Sequence, residues 1–395
     1  MKPLQGIRVL DFSRYIAGPM CTMYLAEWGA EVLKVEDPGV GDDSRTWAPI
    51  KDNVSGYFSA FNRSKKSITL DLKKEEARPI IHALLEQSEV VVCNFSPGVT
   101  KRLGIDYETL SEIKPDVIYC DISGFGQEGP YRKQKGFDTI FQAMGGMMAL
   151  TGTGNGEPVK AGVPIGDYSG AFFATMSILA SLFQRERTGR GEYIDLALYD
   201  CVVNLLPLAM AFYNFTGKMP EPKGTEHPGR VPSSAYRTKD GKYVQISVTD
   251  AQWFKFCNAM GIDNEMANDD RFSTNAQRLR NRQEAMRLIQ SAIALYEQKA
   301  IVERCAEAGI PCGPVNRLED IVQDTQLKYR GMFRTIEHEL LGELHYLNFP
   351  AKFKSGGYQV VSRPPQLGEH TEVVFREVLQ YSEEQIALLK ENSTI

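Results

Sequence analysis

Ile7-Arg-Val-Leu-Asp-Phe-Ser-Arg-Tyr-Ile-Ala-Gly-Pro-Met-Cys-Thr-Met-Tyr-Leu-Ala-Glu-Trp-Gly-Ala-Glu-Val-Leu-Lys-Val-Glu36 decides the fold class. Its two ends are apolar, strand-like runs, Ile7–Asp11 and Ala30–Glu36, and the stretch between them, Gly18–Trp28, reads as a helix. The alternation continues outward. Glu75–Gln87 has helical periodicity, Glu89–Cys93 and Val117–Asp121 are strand-like, Phe141–Leu150 and Tyr168–Arg187 are helical, and Tyr193–Ala197 is another strand. This order predicts an α/β fold with a mostly parallel sheet covered by helices on both faces. The turn after the first strand lacks the G-x-G-x-x-G of a dinucleotide site, so nothing supports NAD. Gly152-Thr-Gly-Asn-Gly156 follows a helix and reads as a surface turn.

Near residue 220 the character changes. Met219-Pro-Glu-Pro-Lys-Gly and His227-Pro-Gly-Arg-Val-Pro read as a linker. Beyond it, Tyr236–Val248 folds back around Asp240-Gly241 as a hairpin, and Gln252–Met260 and Arg280–Ala308 are helical. Glu383–Glu391 closes the chain as an amphipathic helix. At 395 residues, two domains are the expectation.

The net charge of −5, with 45 basic and 50 acidic residues mixed along the chain, favours neither nucleic acid nor a membrane surface as partner. The longest apolar run, Ala171–Phe183, is too short to span a bilayer, and Met1–Gly6 has no signal-peptide core. Seven cysteines without a C-x-x-C pair read as reduced and buried, which points to a cytoplasmic enzyme.

The five histidines show no metal-ligand spacing, and no G-x-S-x-G occurs, so neither a metal nor a hydrolase elbow is expected. Asp167, in Gly162-Val-Pro-Ile-Gly-Asp-Tyr-Ser-Gly170, is then the best candidate nucleophile. Its flanking glycines admit a close ligand, and a helix starting near Tyr168 would aim free N–H groups at an anion. Asp is also a preferred N-cap, and local sequence alone favours that plainer role. Basic residues lie beside predicted turns at Lys65-Lys66, Lys73-Lys74, Lys101-Arg102, Arg132-Lys133 and Lys135, where phosphates bind in open sheets. For any single one, a solvated surface charge is the commoner case.

With these segments assembled, the chain resembles the class III CoA-transferases over nearly its whole length. The landmarks are Gly6-Ile-Arg-Val-Leu-Asp-Phe12 with Ala17-Gly-Pro19, Gly29–Glu36, Gly41-Asp-Asp-Ser-Arg45, Asn62–Lys73, Asn94-Phe-Ser-Pro-Gly98, Ser123-Gly-Phe-Gly126, Thr188-Gly-Arg-Gly191 and Leu367-Gly-Glu-His-Thr371. The resemblance implies that Asp167, ionised at neutral pH, attacks an acyl-CoA thioester and carries CoA to a free carboxylic acid through aspartyl-acyl anhydride and aspartyl-CoA intermediates, with glycine N–H groups around it holding the oxyanion. It places CoA against Ile16, Ala17, Leu72, Lys73, Asn94, Phe95, Ser96, Arg102, Lys135, Gly136, Phe137 and Asp138. It implies CoA as a substrate, no tightly bound cofactor and no metal.

Two other readings stand beside this one. The related α-methylacyl-CoA racemases carry a histidine in a Gly-His-Asp segment; here that stretch is Gly136-Phe137-Asp138, which favours transfer. A non-catalytic acyl-CoA-binding protein would not need Asp167. Arg14 is a candidate partner for the far carboxylate of a dicarboxylic acid, with a plain surface residue at least as good a description. The resemblance further implies a discontinuous Rossmann-like large domain (1–220 and 331–395), a small α+β domain (225–325) and a homodimer of interlocked rings.

Overall fold

The computed structural model describes residues 2–154, 156–354 and 362–395, so Asn155 of the glycine run lies outside the described residues. Six parallel strands form the central sheet: β1 (Arg8–Asp11), β2 (Glu31–Glu36), β3 (Lys66–Thr69), β4 (Val90–Cys93), β5 (Ile118–Ser123) and β6 (Glu192–Ala197). Their spatial order is β3-β2-β1-β4-β5-β6. The chain therefore runs outward one way from β1 and then the other way from β4. A crevice opens between the carboxyl ends of those two strands, where open α/β sheets bind ligands.

The inner strands β2, β1, β4 and β5 are largely apolar because both sheet faces are covered there. Val90 and Val92 enter a core with α1 (Ala17–Glu27) and the long helix α5 (Ile165–Thr188); Val91 and Cys93 enter a second core with α3 (Ala77–Glu86). The remaining helices near the site are α2 (Gly56–Asn62), α4 (Asp138–Met144), α6 (Leu198–Asn204) and α7 (Pro207–Thr216). α1 and α5 pack closely, with Tyr24 stacked on Phe172 at 6.0 Å.

The polar edge strand β3 has no clear apolar signature, and the C-terminal segment completes it. His370 N donates to Ser67 O at 2.9 Å, and Thr69 N to Thr371 Oγ1 at 2.9 Å.

By internal contacts, Met1–Met147, Lys160–Asn214 and Gln326–Ile395 form one compact unit, and Met148–Val159 with Phe215–Thr325 another. In the second unit β7 (Ser233–Arg237), β8 (Tyr243–Ser247) and β9 (Cys312–Pro314) make an antiparallel sheet, with Arg237 opposite Tyr243 across the expected Asp240-Gly241 turn. Its core joins Tyr236, Val244 and Ile246 to Trp253, Phe256, Ile289 and Ile301. The span expected as one helix, Arg280–Ala308, is Arg282–Ile293 and Gln298–Glu307, with a break around Leu295-Tyr296. No single helix among the described residues is long and apolar enough to cross a membrane; the bent pair α6–α7 is apolar enough only when its two parts are taken together.

Candidate active site

A cleft of about 550 Å³ lies at the carboxyl ends of the strands in the first unit. Ile16, Ala17, Asn94, Phe95, Ser96, Lys135, Gly136, Phe137, Asp138 and Asp167 line it, which brings together ten of the residues named from sequence. Leu72, Lys73 and Arg102 do not line it. Leu72 packs with Phe95 against the α3-side core, while Lys73 and Arg102 are exposed, Arg102 on the short helix Val99–Leu103 that follows the Asn94–Gly98 loop.

Polar clamps hold the β1 loop in place. Asn94 grips Arg14 from both sides, its Oδ1 accepting from Arg14 N at 2.8 Å and its Nδ2 donating to Arg14 O at 2.6 Å. Asp42 Oδ1 accepts from Tyr15 N at 3.3 Å. Between these two grips Tyr15 sits at φ +72°, a strained conformation for a side chain of its size, maintained where the loop enters the cleft.

Beneath the loop is a buried ion cluster, Lys65–Asp11 at 2.9 Å and Lys34–Asp42 at 2.9 Å, with Lys34 Nζ also donating to Ser13 O at 2.8 Å. Burial alone would raise the Asp11 pKa, but Lys65, Lys34 and the hydroxyls of Ser13 and Thr22 outweigh it and hold it at about 2. Lys65 is therefore no phosphate ligand: burial lowers its pKa to about 8, and its Nζ is committed to Asp11 and Asn62. Lys66 pairs with Glu31, and Lys74 donates to Asn392 O. Arg14 lies 3.6 Å from Asp43 and over the Phe95 ring, outside the cleft lining, so its placement gives no support to a carboxylate-binding role.

Asp167 is not the cap of its helix. α5 starts at Ile165 with Pro164 at the N-cap, and Asp167 stands in the first turn. A helix N-terminus favours an anion there, yet burial first, and then the Asp138 charge, raise the Asp167 pKa to about 7. Burial and the Asp138 charge thus favour the protonated acid far more than in a free aspartate, against the full ionisation expected from sequence.

Asp138 holds the turn itself. Its Oδ1 accepts from Gly166 N at 2.7 Å and its Oδ2 from Gln142 Nε2 at 2.6 Å, while Gln142 Oε1 accepts from Ala161 N at 2.8 Å. Position 166 is tight: an added Cβ would stand 3.0 Å from Asp138 Oδ1 and 3.1 Å from Val202 Cγ2, so both side chains would have to give way. The Gly166 N–H, expected as an oxyanion donor, is therefore already engaged. Ala17, Asp138, Asp167 and Leu198, in the first turns of α1, α4, α5 and α6, line the cleft, and the positive ends of the two longer helices, α1 and α5, favour an anion there.

Sequence reasoning missed the aromatic wall. Tyr15 stacks on Trp47 at 5.4 Å, Trp47 meets Tyr57 edge-on at 5.1 Å, and Tyr57, Phe61 and Tyr168 continue the row at 5.9 and 6.1 Å. These residues are scattered over four local segments, Tyr57 and Phe61 sharing α2, so no spacing announces them. Gln142, an ordinary residue inside a helix, gave no signal either. Among the described residues no group of three or more His, Cys, Asp or Glu side chains is arranged to hold a metal ion.

Residues 4–371 match the model of CoA-transferase family III. The chain belongs to CoA-transferase family III. This transferase is 37% identical to the succinyl-CoA:glutarate CoA-transferase of Mus musculus over 97% of its own length and 88% of the relative's. It is 34% identical to the succinate–glutarate CoA-transferase of Agrobacterium fabrum, covering 95% of this chain and 96% of that one. To the succinyl-CoA–D-citramalate CoA-transferase of Chloroflexus aurantiacus it is 33% identical, covering 100% and 98%. A CAIB/BAIF family protein from Brucella suis superposes on the transferase with a TM-score of 0.87 at 37% identity, over 95% of this chain and 99% of that one.

Proposed function

We propose that this transferase moves CoA from an acyl-CoA, with succinyl-CoA the first candidate donor, to a small dicarboxylic acid, with Asp167 as nucleophile. The observation that carries the reading is a carboxyl group of raised pKa in the first turn of a long helix, facing a cleft at the sheet's topological switch point. The names of the relatives supply the substrate class.

In the first step an Asp167 oxygen attacks the thioester carbonyl, the C–S bond breaks, and CoA leaves as thiolate from an aspartyl-acyl anhydride. The thiolate then attacks the aspartyl carbonyl and releases the donor acid, leaving an aspartyl-CoA thioester. The acceptor carboxylate displaces CoA to form a second anhydride. Returning thiolate cleaves that anhydride at the acceptor's carbonyl, giving the new acyl-CoA and free Asp167. A carboxylate is a weak nucleophile, so its raised basicity and fixed orientation both matter; orientation alone is worth effective molarities of about 10⁵ M or more. The ends of α1 and α5 oppose the charge that develops on the carbonyl oxygen and on sulfur.

In this reading CoA lies over Ile16, Ala17 and the Asn94–Ser96 loop, with Leu72, Lys73 and Gly136–Asp138 along its length and Arg102 and Lys135 at its phosphates. The large domain would be 1–220 with 331–395 and the small one 225–325, with Met148–Val159 packing into the second unit. A homodimer of interlocked rings would cover Phe172, Met176 and Phe183 on α5 and Leu208 and Met210 on α7, all exposed in the single chain.

The test is a matrix of acyl-CoA donors against mono- and dicarboxylic acids, read by mass spectrometry of the CoA products and of the intact enzyme. Transfer to dicarboxylic acids with a CoA-sized adduct on Asp167 is expected. Turnover without an adduct on that residue rejects the mechanism.

A further inference from the structure

We infer that Gln142 is a positioning residue for the transfer: it locks the Asp138 carboxylate in the one orientation that both holds the Gly166 turn and stands beside Asp167. The inference rests on Asp167 being the nucleophile. Gln142 is fully buried on α4, one helical turn beyond Asp138. Its amide is used at both ends, Nε2 toward Asp138 Oδ2 and Oε1 toward Ala161 N, so only one flip of the amide satisfies both partners. Ala161 begins the segment that leads to the Pro164 cap, and Gly166 lies just beyond that cap. One glutamine and one carboxylate thus tie α4, the approach to α5 and the first turn of α5 into a single hydrogen-bonded unit.

The lock has an electrical consequence. The titratable groups facing Asp167 are Asp138 from α4, Tyr57 from α2 and Tyr168 from its own helix; Arg132 and Lys135 line the same cleft. Of these, Asp138 carries the like charge that raises the Asp167 pKa after burial has done so. An Asp138 carboxylate freed from Gln142 would rotate toward solvent, the Asp167 pKa would fall, and the Gly166 turn would lose its anchor. A residue that served only to fill the core would not link these effects.

The experiment compares pH profiles of kcat/KM for transfer by the full-length enzyme and by Gln142→Met and Gln142→Glu. Methionine keeps the volume and removes both hydrogen bonds. Its plateau rate should fall about 10- to 100-fold through misplacement of the nucleophile, and its acid limb should move about one unit below that of the wild type. A neutral glutamic acid supplies one O–H donor for Asp138 and one carbonyl acceptor for Ala161 N, so Gln142→Glu should approach wild-type activity at low pH and lose it as the new acid ionises. If Gln142→Met loses rate with its acid limb unmoved, the positioning role is overturned. If the methionine variant does not fold, a Gln142→Glu profile of wild-type shape overturns it as well. Asp167→Asn is assayed in parallel. Transfer retained there defeats the nucleophile reading itself, whereas an inactive Asp167→Asn beside Gln142 variants that titrate like the wild type defeats only the lock.

Discussion

Asp11 and Asp167 lie in the same unit, at the ends of different elements, and burial pushes both pKa values upward. They finish at about 2 and about 7. The difference lies in the company each keeps: Asp11 meets two buried ammonium groups and two hydroxyls, whereas Asp167 meets another carboxylate. Burial decides how much a neighbouring charge matters, and the neighbour's sign decides the outcome. The first arrangement fixes a loop; the second leaves a basic carboxylate, the proposed nucleophile, on the cleft.

The largest expected effect breaks the second arrangement. Asp167→Asn keeps the size of the side chain and removes the anionic oxygen, so transfer should fall by more than about 10⁴-fold while the fold survives. Near-wild-type turnover from protein shown by mass spectrometry to be free of deamidation would end the nucleophile assignment.

Breaking the first arrangement should show in stability. Asp11→Asn leaves Lys65 buried without its counter-charge, which costs about 3–5 kcal/mol. A melting temperature unchanged from the wild type would mean that the cluster is not what secures the β1 loop.

A smaller effect is expected at the proposed phosphate contacts. Lys135→Ala and Arg102→Ala should each weaken CoA binding by roughly 10- to 100-fold, from charge-assisted contacts of about 1.5–3 kcal/mol, and should leave binding of a pantetheine thioester nearly unchanged. Calorimetry with both ligands checks this; equal losses for the two would place those side chains elsewhere.

The smallest effect sharpens the comparison through pH. The Asp167 pKa is higher in the folded chain than in the unfolded one, so its contribution becomes less favourable as pH rises from about 4 to 7 and then stays constant. Asp11, held at about 2, stabilises the fold above about pH 4 and loses that contribution as pH falls through 2. Asp167→Asn should therefore gain in melting temperature over the wild type between pH 4 and 7, with the gain constant above that window. A difference that is flat across the window would contradict the raised pKa. Asp121, also raised to about 7 by burial, Asp195 and Glu108, is present in both proteins and cancels from the comparison.

Sequence alone carried much of the fold. Five of the six central strands announce themselves; the four inner ones do so because a doubly covered parallel strand is apolar along most of its length, as in Val90-Val-Val-Cys93. The C-terminal helix Glu383–Glu391 and the Asp240-Gly241 hairpin were equally legible, since caps, turns and periodicity are local properties. β3 escaped because Lys66-Ser-Ile-Thr69 is an edge strand whose polar groups are satisfied by the distant segment Gly368–Thr371.

At the site the division is sharper. The chain itself specified a glycine-flanked aspartate at the start of a long apolar helix, because the need for close backbone approach is written in residue type. Tertiary structure alone decided that Gly166 N is held by Asp138, that Lys65 is spent on Asp11, and that a carboxylate faces Asp167 in place of a cation. Each of those facts is a distance between residues far apart in sequence, and the charge state of a buried group depends on such distances rather than on its neighbours along the chain.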